Sequence, residues 1–163
     1  MNIKITYNWL LDYLDTDATP DELRRYLSLC GPSIESVGKV GNDYVFDIEI
    51  TSNRIDTASV IGVAQEAQAI LPMFGKKAKL KLNPLANSKL DQIKTGSGFN
   101  LKVDIKNPNL VSRFTSLIFD QIKIGDSPKF IQDRLKLAGV KVINNVVDIS
   151  NYLMITLGQP IHM

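Results

Sequence analysis

The chain has 163 residues, of which 44% are hydrophobic and 22% charged. These fractions are close to the globular average and exclude a disordered or fibrous chain. No apolar run reaches the roughly 20 residues that a membrane helix needs, and the opening residues lack the layout of a signal peptide. The single cysteine excludes an internal disulfide and a metal site built from several cysteines. A soluble cytoplasmic protein without a membrane partner is the simplest interpretation.

The net charge of +2 conceals a reversal of sign between the two halves of the chain. Residues 1–75 carry 5 Lys and Arg and 11 Asp and Glu, whereas residues 76–163 carry 14 and 6. The first half therefore has a net charge of −6 and the second a net charge of +8. Such an asymmetry suggests two units with different surroundings.

The first half combines helix signals with a few strand signals. Alternation around Ile3–Ile5 predicts a short strand, and alternation over 44–50 predicts a second one. Thr19 to Glu22 has the composition of a capping box and predicts the start of a helix that ends at Gly31. A further helix is predicted from about 57 to 71.

Two smaller predictions concern residues beside these helices. Asp56 or Thr57 is expected to cap the helix that begins near 57, and Arg54 is expected to pair with Asp56. Cys30 falls on the apolar face of the helix before Gly31, where we expect a core thiol.

The middle of the chain changes character. Turn-forming residues over 86–97 predict a linker between domains at 1–85 and 98–163. The lysine cluster at 76–81 is compatible with a solvated linker, with an edge strand kept soluble by lysine, or with phosphate contacts.

The second half is predicted to begin as β structure and to end in helices. Alternation over 101–105 and an apolar run over 114–124 predict two strands. Helices are predicted over 128–138 and 146–157, and the second one stops at Gly158.

The residues offer no complete catalytic site. His162 is the only histidine, and no phosphate-binding glycine loop is present. No catalytic residue and no metal ligand is therefore assigned. The pairs Asn144-Asn145 and Ser150-Asn151 lie in an otherwise apolar segment, where their polar groups suit either helix capping or recognition of a polar ligand.

Three stretches make the chain recognisable. They are Ile5–Leu10 with the helix start at Thr19–Leu23, then Ile48–Glu66, and finally Ile143–Tyr152 followed by Gly158–His162. In order and spacing they resemble the beta subunit of bacterial phenylalanine–tRNA ligase (phenylalanyl-tRNA synthetase), as an N-terminal fragment. The resemblance covers essentially the whole chain.

The resemblance implies an α+β fold and a definite function. A small, mainly helical N-terminal domain at 1–85 is expected before the first part of an α/β editing domain at 98–163. Members of the family are assemblies of two alpha and two beta subunits. The alpha subunit holds a class II site that uses ATP and magnesium, and the beta subunit contacts tRNA and removes tyrosine from mischarged tRNA. The fragment itself is expected to hold no cofactor and no complete active site.

The editing site carries over at three positions. His162 matches the histidine of the family's Gln-Pro-x-His motif, Asn151 matches the asparagine of its Thr-Asn-Tyr motif, and Ser150 stands where threonine is usual. The resemblance assigns them to binding the misacylated adenosine end or orienting water, without nucleophilic attack.

The chain also departs from the family pattern. Many members insert a tRNA-binding OB-fold domain where Val37 to Asp43 here form a direct connection, so that domain is expected to be absent. Gln65 replaces a common arginine, Thr156 a common glutamate, and Met163 the alanine after the histidine. The rest of the editing pocket is expected beyond Met163.

Two other functions compete with this interpretation. The basic second half alone would suit a small RNA-binding or subunit-assembly module that has no enzymatic activity. A fragment that hydrolyses mischarged tRNA by itself is the other possibility, and it is disfavoured because so little of the editing domain is present.

Overall fold

The computed structural model describes residues 1–81, 98–161 and 163. Contacts divide the chain into two compact units, one of Met1–Pro84 with Ile124–Met163 and one of Leu85–Lys123. The chain thus changes unit after Pro84 and again after Lys123, and neither the charge reversal nor the linker composition indicates the second position. The predicted domain boundaries stay a prediction, because a compact unit is defined by contacts and a domain by its ability to fold alone.

The larger unit is α+β. Its described residues form five strands and five α-helices, together with 3₁₀ helices at Ile55–Thr57 and Leu71–Phe74. In chain order the elements are β1 (Asn2–Thr6), α1 (Tyr7–Leu11), β2 (Leu14–Thr16), α2 (Pro20–Cys30), β3 (Ser33–Val40), β4 (Asp43–Glu49), α3 (Val60–Ile70), β5 (Ala78–Leu80), α4 (Lys129–Leu137) and α5 (Asn145–Leu157).

The main sheet is antiparallel with the strand order β1-β4-β3. Its register places Ile5 beside Phe46, and both side chains are buried in the core. A two-residue turn joins β3 to β4, and its first residue, Gly41, has a φ of +58°. Such tight hairpin turns favour glycine because L side chains are strained at positive φ. The sequence patterns predicted β4 and missed β3.

Side-chain caps mark the starts of α2 and α3, and the sequence predicted the first of them. Thr19 and Glu22 form the predicted capping box, and α2 buries Leu23 and Leu27. The prediction for the cap of α3 is wrong, because Ser59 fills this position and its hydroxyl accepts from the backbone N–H of Gly62. A Cβ on Gly62 would lie 2.2 Å from the carbonyl oxygen of Asp56, so only glycine allows this close approach.

The main sheet and helices α1, α2 and α3 share one hydrophobic core, and Tyr152 and Ile155 of α5 pack against it. Its largest fully buried side chains include Trp9, Phe46, Ile5, Leu10 and Leu14. The five strands within residues 1–81 leave the expected mainly helical character of the first half unconfirmed. The expectation of a core thiol is wrong: Cys30 is the last residue of α2 and is exposed.

The middle of the lysine cluster, Ala78–Leu80, forms an edge strand. β5 pairs with β2 in a separate two-stranded sheet. Lys76 forms an ion pair with Glu22, Lys77 forms one with Asp15, and the Lys81 ammonium donates to the carbonyl of Leu11. Of the three interpretations of this segment, the edge strand is therefore confirmed.

The smaller unit contradicts two sequence predictions. Residues 98–123 form neither a helix nor a strand, so the strands predicted over 101–105 and 114–124 are wrong. Gln121 adopts a φ of +55°, which is incompatible with an extended strand. Strands also need a neighbour to satisfy their backbone groups, and apolar side chains of this segment such as Leu110, Leu117 and Phe119 are exposed.

The last two helices follow the sequence closely. α4 buries Ile131 and Leu135. α5 ends at Gly158, whose φ of +75° is the left-handed conformation typical of a helix C-terminus. Among the helices that the structure describes, none has the length and apolarity to cross a bilayer.

Candidate functional site

The site residues predicted from the sequence centre on α5, whose first turn is held by amide groups. Asn144 is the N-cap, and its side-chain oxygen accepts from the backbone N–H groups of Val146 and Val147 at 3.1 and 3.0 Å. The side-chain oxygen of Asn145 accepts from the backbone N–H of Gly125 at 3.3 Å, and the N–H of Asn145 donates to the carbonyl of Gly125 at 2.8 Å. Capping therefore accounts for Asn144, and Asn145 ties the helix to the segment before α4.

The same first turn of α5 carries a buried carboxylate, that of Asp148. Asp148 has no exposed surface, and it accepts from the Ser127 hydroxyl at 2.5 Å and from the backbone N–H of Ile143 at 2.8 Å. A carboxylate in the first turn also interacts favourably with the helix dipole. Asp148 thereby joins α5 to the start of α4 and to the loop between the two helices. Sequence reasoning missed this role, although an acidic residue in the first turn of an apolar helix is a usable signal.

Ser150 and Asn151 are neighbours on α5, as predicted. Ser150 is only 6% exposed, and its hydroxyl donates to the carbonyl of Val147 at 2.8 Å. This bond stays within the helix, which leaves the oxygen lone pairs of the hydroxyl for a second contact. Asn151 is half-buried, and its amide can both donate and accept. His162 lies outside the described residues.

The C-terminal end of α5 packs on the start of α3. A Cβ on Gly158 would lie 3.2 Å from the Cβ of Ser59, the residue that caps α3. The second and third stretches of the resemblance therefore meet at this point, although about a hundred residues separate Ser59 from Gly158 in the sequence.

A charged network supports the turn before α3. The Arg54 guanidinium donates to both carboxylate oxygens of Asp56, at 3.1 and 2.9 Å, and to the Glu66 carboxylate at 2.5 Å. The Arg54–Asp56 pair confirms the prediction, whereas the partnership with Glu66 was missed. The hydrogen bonds from Arg54 lower the pKa of Asp56, and those carboxylates raise the pKa of Arg54.

This network borders a cavity of about 150 Å³ that Cys30 and Glu49 also line. Because two carboxylates already balance its charge, Arg54 is better suited to holding the turn in place than to binding an anion. Within residues 1–81, 98–161 and 163, no group of three or more His, Cys, Asp or Glu side chains is arranged to hold a metal ion.

Comparison with known proteins matches the C-terminal part of the chain to a family model. A family model described as the B3/4 domain matches residues 110–163. This range includes α4 and α5, and therefore Asp148, Ser150 and Asn151.

Curated relatives extend the similarity to most of the chain. The phenylalanine–tRNA ligase beta subunit of Rhodopirellula baltica is 37% identical over 160 residues, which cover 97% of this chain and 22% of the relative. Those of Carboxydothermus hydrogenoformans and Clostridium acetobutylicum are 36% and 38% identical over 132 residues, which cover 81% of this chain and 15% and 16% of the relatives. No solved structure matches the chain.

The chain is therefore similar over most of its length to phenylalanine–tRNA ligase beta subunits, and the resemblance predicted from its motifs is confirmed. It matches a part of that subunit and spans less than a quarter of the length of the curated relatives it matches.

Proposed function

We propose that this chain acts as part of the beta subunit of a phenylalanine–tRNA ligase. The observation that carries the proposal is identity of 36–38% to such subunits over 81–97% of the chain. In this proposal the chain works in the cytoplasm with an alpha subunit, in an assembly of two alpha and two beta subunits. The alpha subunit holds the class II site, where ATP and magnesium activate phenylalanine. This chain contributes to assembly and to contacts with tRNA.

The two predicted domains have different tasks in this proposal. Residues 1–85 form the acidic assembly domain, and residues 98–163 begin the basic editing domain, which meets the end of the tRNA. The B3/4 match over 110–163 and the positive charge of the second half support this division.

We propose further that no tRNA-binding OB-fold domain is inserted in the first half. β3 ends at Val40 and β4 begins at Asp43, so only Gly41 and Asn42 connect them. A two-residue hairpin turn leaves no room for an inserted domain at this place.

The editing role rests on Ser150, Asn151 and His162. The half-buried Asn151 amide can hydrogen-bond a polar ligand at both its oxygen and its nitrogen. Ser150 lacks the methyl group of the usual threonine but keeps the hydroxyl. We assign all three residues to binding the misacylated adenosine end or to orienting the water that attacks the ester. None of them acts as a nucleophile, and the chain by itself has no complete active site.

Assembly is tested by co-purifying the full reading frame that contains this chain with its alpha subunit. We expect a stable complex that attaches phenylalanine to tRNA. Failure of the two chains to associate, together with the absence of aminoacylation, would reject the proposal.

Editing is tested separately by measuring deacylation of tyrosyl-tRNA in the same complex. Asn151→Ala and His162→Ala should each lower the rate by about 10-fold or more, since each removes a hydrogen bond to the substrate or the water. Asn100→Ala, an exposed amide outside α5, is the matched control. Equal rates in all four proteins would exclude the assigned editing site while leaving the assembly role intact.

A further inference from the structure

Tyr152, which follows Ser150 and Asn151 on α5, packs against the core of the first half of the chain. Tyr152 stacks on Trp9 with ring centroids 4.8 Å apart and an angle of 12° between the rings. Trp9 belongs to α1 and is fully buried. An aromatic stack of this kind fixes both the distance and the rotation of the two elements that carry it.

An arginine from α4 strengthens the same contact. Arg134 donates to the Tyr152 hydroxyl at 2.8 Å and forms an ion pair with Asp12 at 2.7 Å. Its guanidinium carbon lies 5.6 Å from the centre of the Trp9 ring. The arginine side chain is only 18% exposed, so these charge-assisted bonds are partly shielded from solvent.

Tyr13 is a further group of the first half near Tyr152. Burial raises the pKa of Tyr13, and Tyr152 and Asp12 raise it further. Tyr13 is therefore a neutral phenol near neutral pH. The contacts of known geometry from residues 9–13 to α4 and α5 come from two groups, the Trp9 indole and the Asp12 carboxylate.

We propose that Trp9, Arg134 and Tyr152 are positioning residues, which set the rotation of α5 and so aim Asn151 and Ser150. The inference rests on the proposed editing function of α5. Consecutive residues of a helix are rigidly linked at about 100° to one another, so a rotation of Tyr152 turns Asn151 by the same angle. At a side-chain radius of about 5–6 Å, a rotation of about 10° moves the amide by about 1 Å. A displacement of this size can lower a catalysed rate by about 100-fold.

The most informative variant is Tyr152→Phe, which removes one oxygen and leaves the ring that stacks on Trp9. Arg134→Lys keeps a cation beside Asp12 but loses the planar fork that also reaches Tyr152. Tyr26→Phe is the matched control, because the Tyr26 ring of α2 is also stacked, on Phe74 at 4.3 Å. The double variant of Arg134 and Tyr152 tests whether the two residues act as one unit.

Tyrosyl-tRNA deacylation by the assembled ligase is the first measurement. We expect Tyr152→Phe and Arg134→Lys each to lower kcat by about 10-fold with KM unchanged. Asn151 and Ser150 are still present in these variants, but they are displaced from the positions that favour the reaction. The double variant should be no slower than the worse single variant. A fall in rate that follows the loss of stability, or independent losses that multiply, would overturn the inference in favour of a purely structural role.

Amide hydrogen exchange of α5 in the chain itself is the second measurement, and it does not depend on editing. Exchange over 146–157 should rise by about 10-fold in Tyr152→Phe and stay unchanged in Tyr26→Phe. If the unsubstituted ligase shows no deacylation, the editing proposal fails, and the exchange result still decides whether Tyr152 holds α5 in position. Unchanged exchange in Tyr152→Phe would overturn it in either case.

Discussion

The strongest stability prediction concerns the buried carboxylate of Asp148. Replacement by alanine leaves the Ser127 hydroxyl and the Ile143 backbone N–H without their acceptor. Ser127 is 4% exposed, so its hydroxyl cannot recover a bond to water easily, whereas the partly buried N–H of Ile143 can do so in part. The carboxylate also stops contributing to the helix dipole at the start of α5.

The magnitude follows from these contacts. A hydrogen bond to a charged group contributes about 1.5–3 kcal/mol, and a buried polar group left without a partner costs about 1–3 kcal/mol. With a discount for the N–H that can reach water, we expect Asp148→Ala to lower the free energy of unfolding by about 3 kcal/mol. Asp148→Asn should cost only about 1 kcal/mol, because its amide can accept from Ile143 and donate to Ser127.

Urea unfolding followed by the emission of Trp9, the only tryptophan of the chain, measures these differences. At an m value of about 1–3 kcal/mol/M, the alanine variant should lower the midpoint by about 1–3 M. Asp133→Ala is the matched control, since the Asp133 side chain is 48% exposed and pairs with Lys129 within α4. That variant should cost no more than about 0.5 kcal/mol. An Asp148→Ala midpoint equal to that of the control would refute the assignment of Asp148 as the link between α4 and α5.

Three further predictions test other parts of the fold. Gly139 and Gly158 both have positive φ, so alanine at either position should lower the free energy of unfolding by about 1–2 kcal/mol. Gly158→Ala should cost more, because its Cβ would lie 3.2 Å from Ser59, whereas nothing lies within 4 Å at Gly139. Equal urea midpoints for the two variants would contradict this contact. Hydrogen bonds from Lys76 and Thr19 hold the pKa of Glu22 at about 2, below its ordinary 4.5. Its stabilising effect is therefore complete above pH 4.5 and is lost as the pH falls toward 2, and Glu22→Gln should flatten the pH dependence of the urea midpoint in that window. The exposed thiol of Cys30 should react with a maleimide in the folded chain as fast as in the urea-unfolded chain, and protection in the folded chain would contradict the structure.

The parts of the fold that follow from the sequence are those with a local cause. The capping box at Thr19 and Glu22 satisfies backbone groups within one turn, so the start of α2 can be read without knowing its neighbours. The left-handed glycine at Gly158 marks the end of α5 for the same reason. Asn144 belongs with them, because capping was one of the two roles that its sequence position suggested.

The features of the candidate site likewise separate into those with a local cause and those that depend on distant residues. The motif resemblance placed Ser150 and Asn151 together, and one turn of helix is enough to keep them adjacent. It could not reveal that Asp148 would bind Ser127, because the bond joins residues 21 positions apart. Nor could it predict the cap of α3, where the close approach of Gly62 to the backbone of Asp56 sets the start of the helix at Ser59.

Tertiary structure decided the features that depend on contacts between residues far apart in the sequence. The predicted strands over 101–105 and 114–124 have the right alternation, yet a strand forms only where another strand satisfies its backbone groups. β5 has such a partner, because β2 lies beside it across more than sixty residues of sequence. The stack of Trp9 on Tyr152 likewise joins residues 143 positions apart. Sequence alone thus determined where α2 begins and where α5 begins and ends, because caps act within one turn. Long-range contacts determined where α3 begins, which strands pair and how α5 is held.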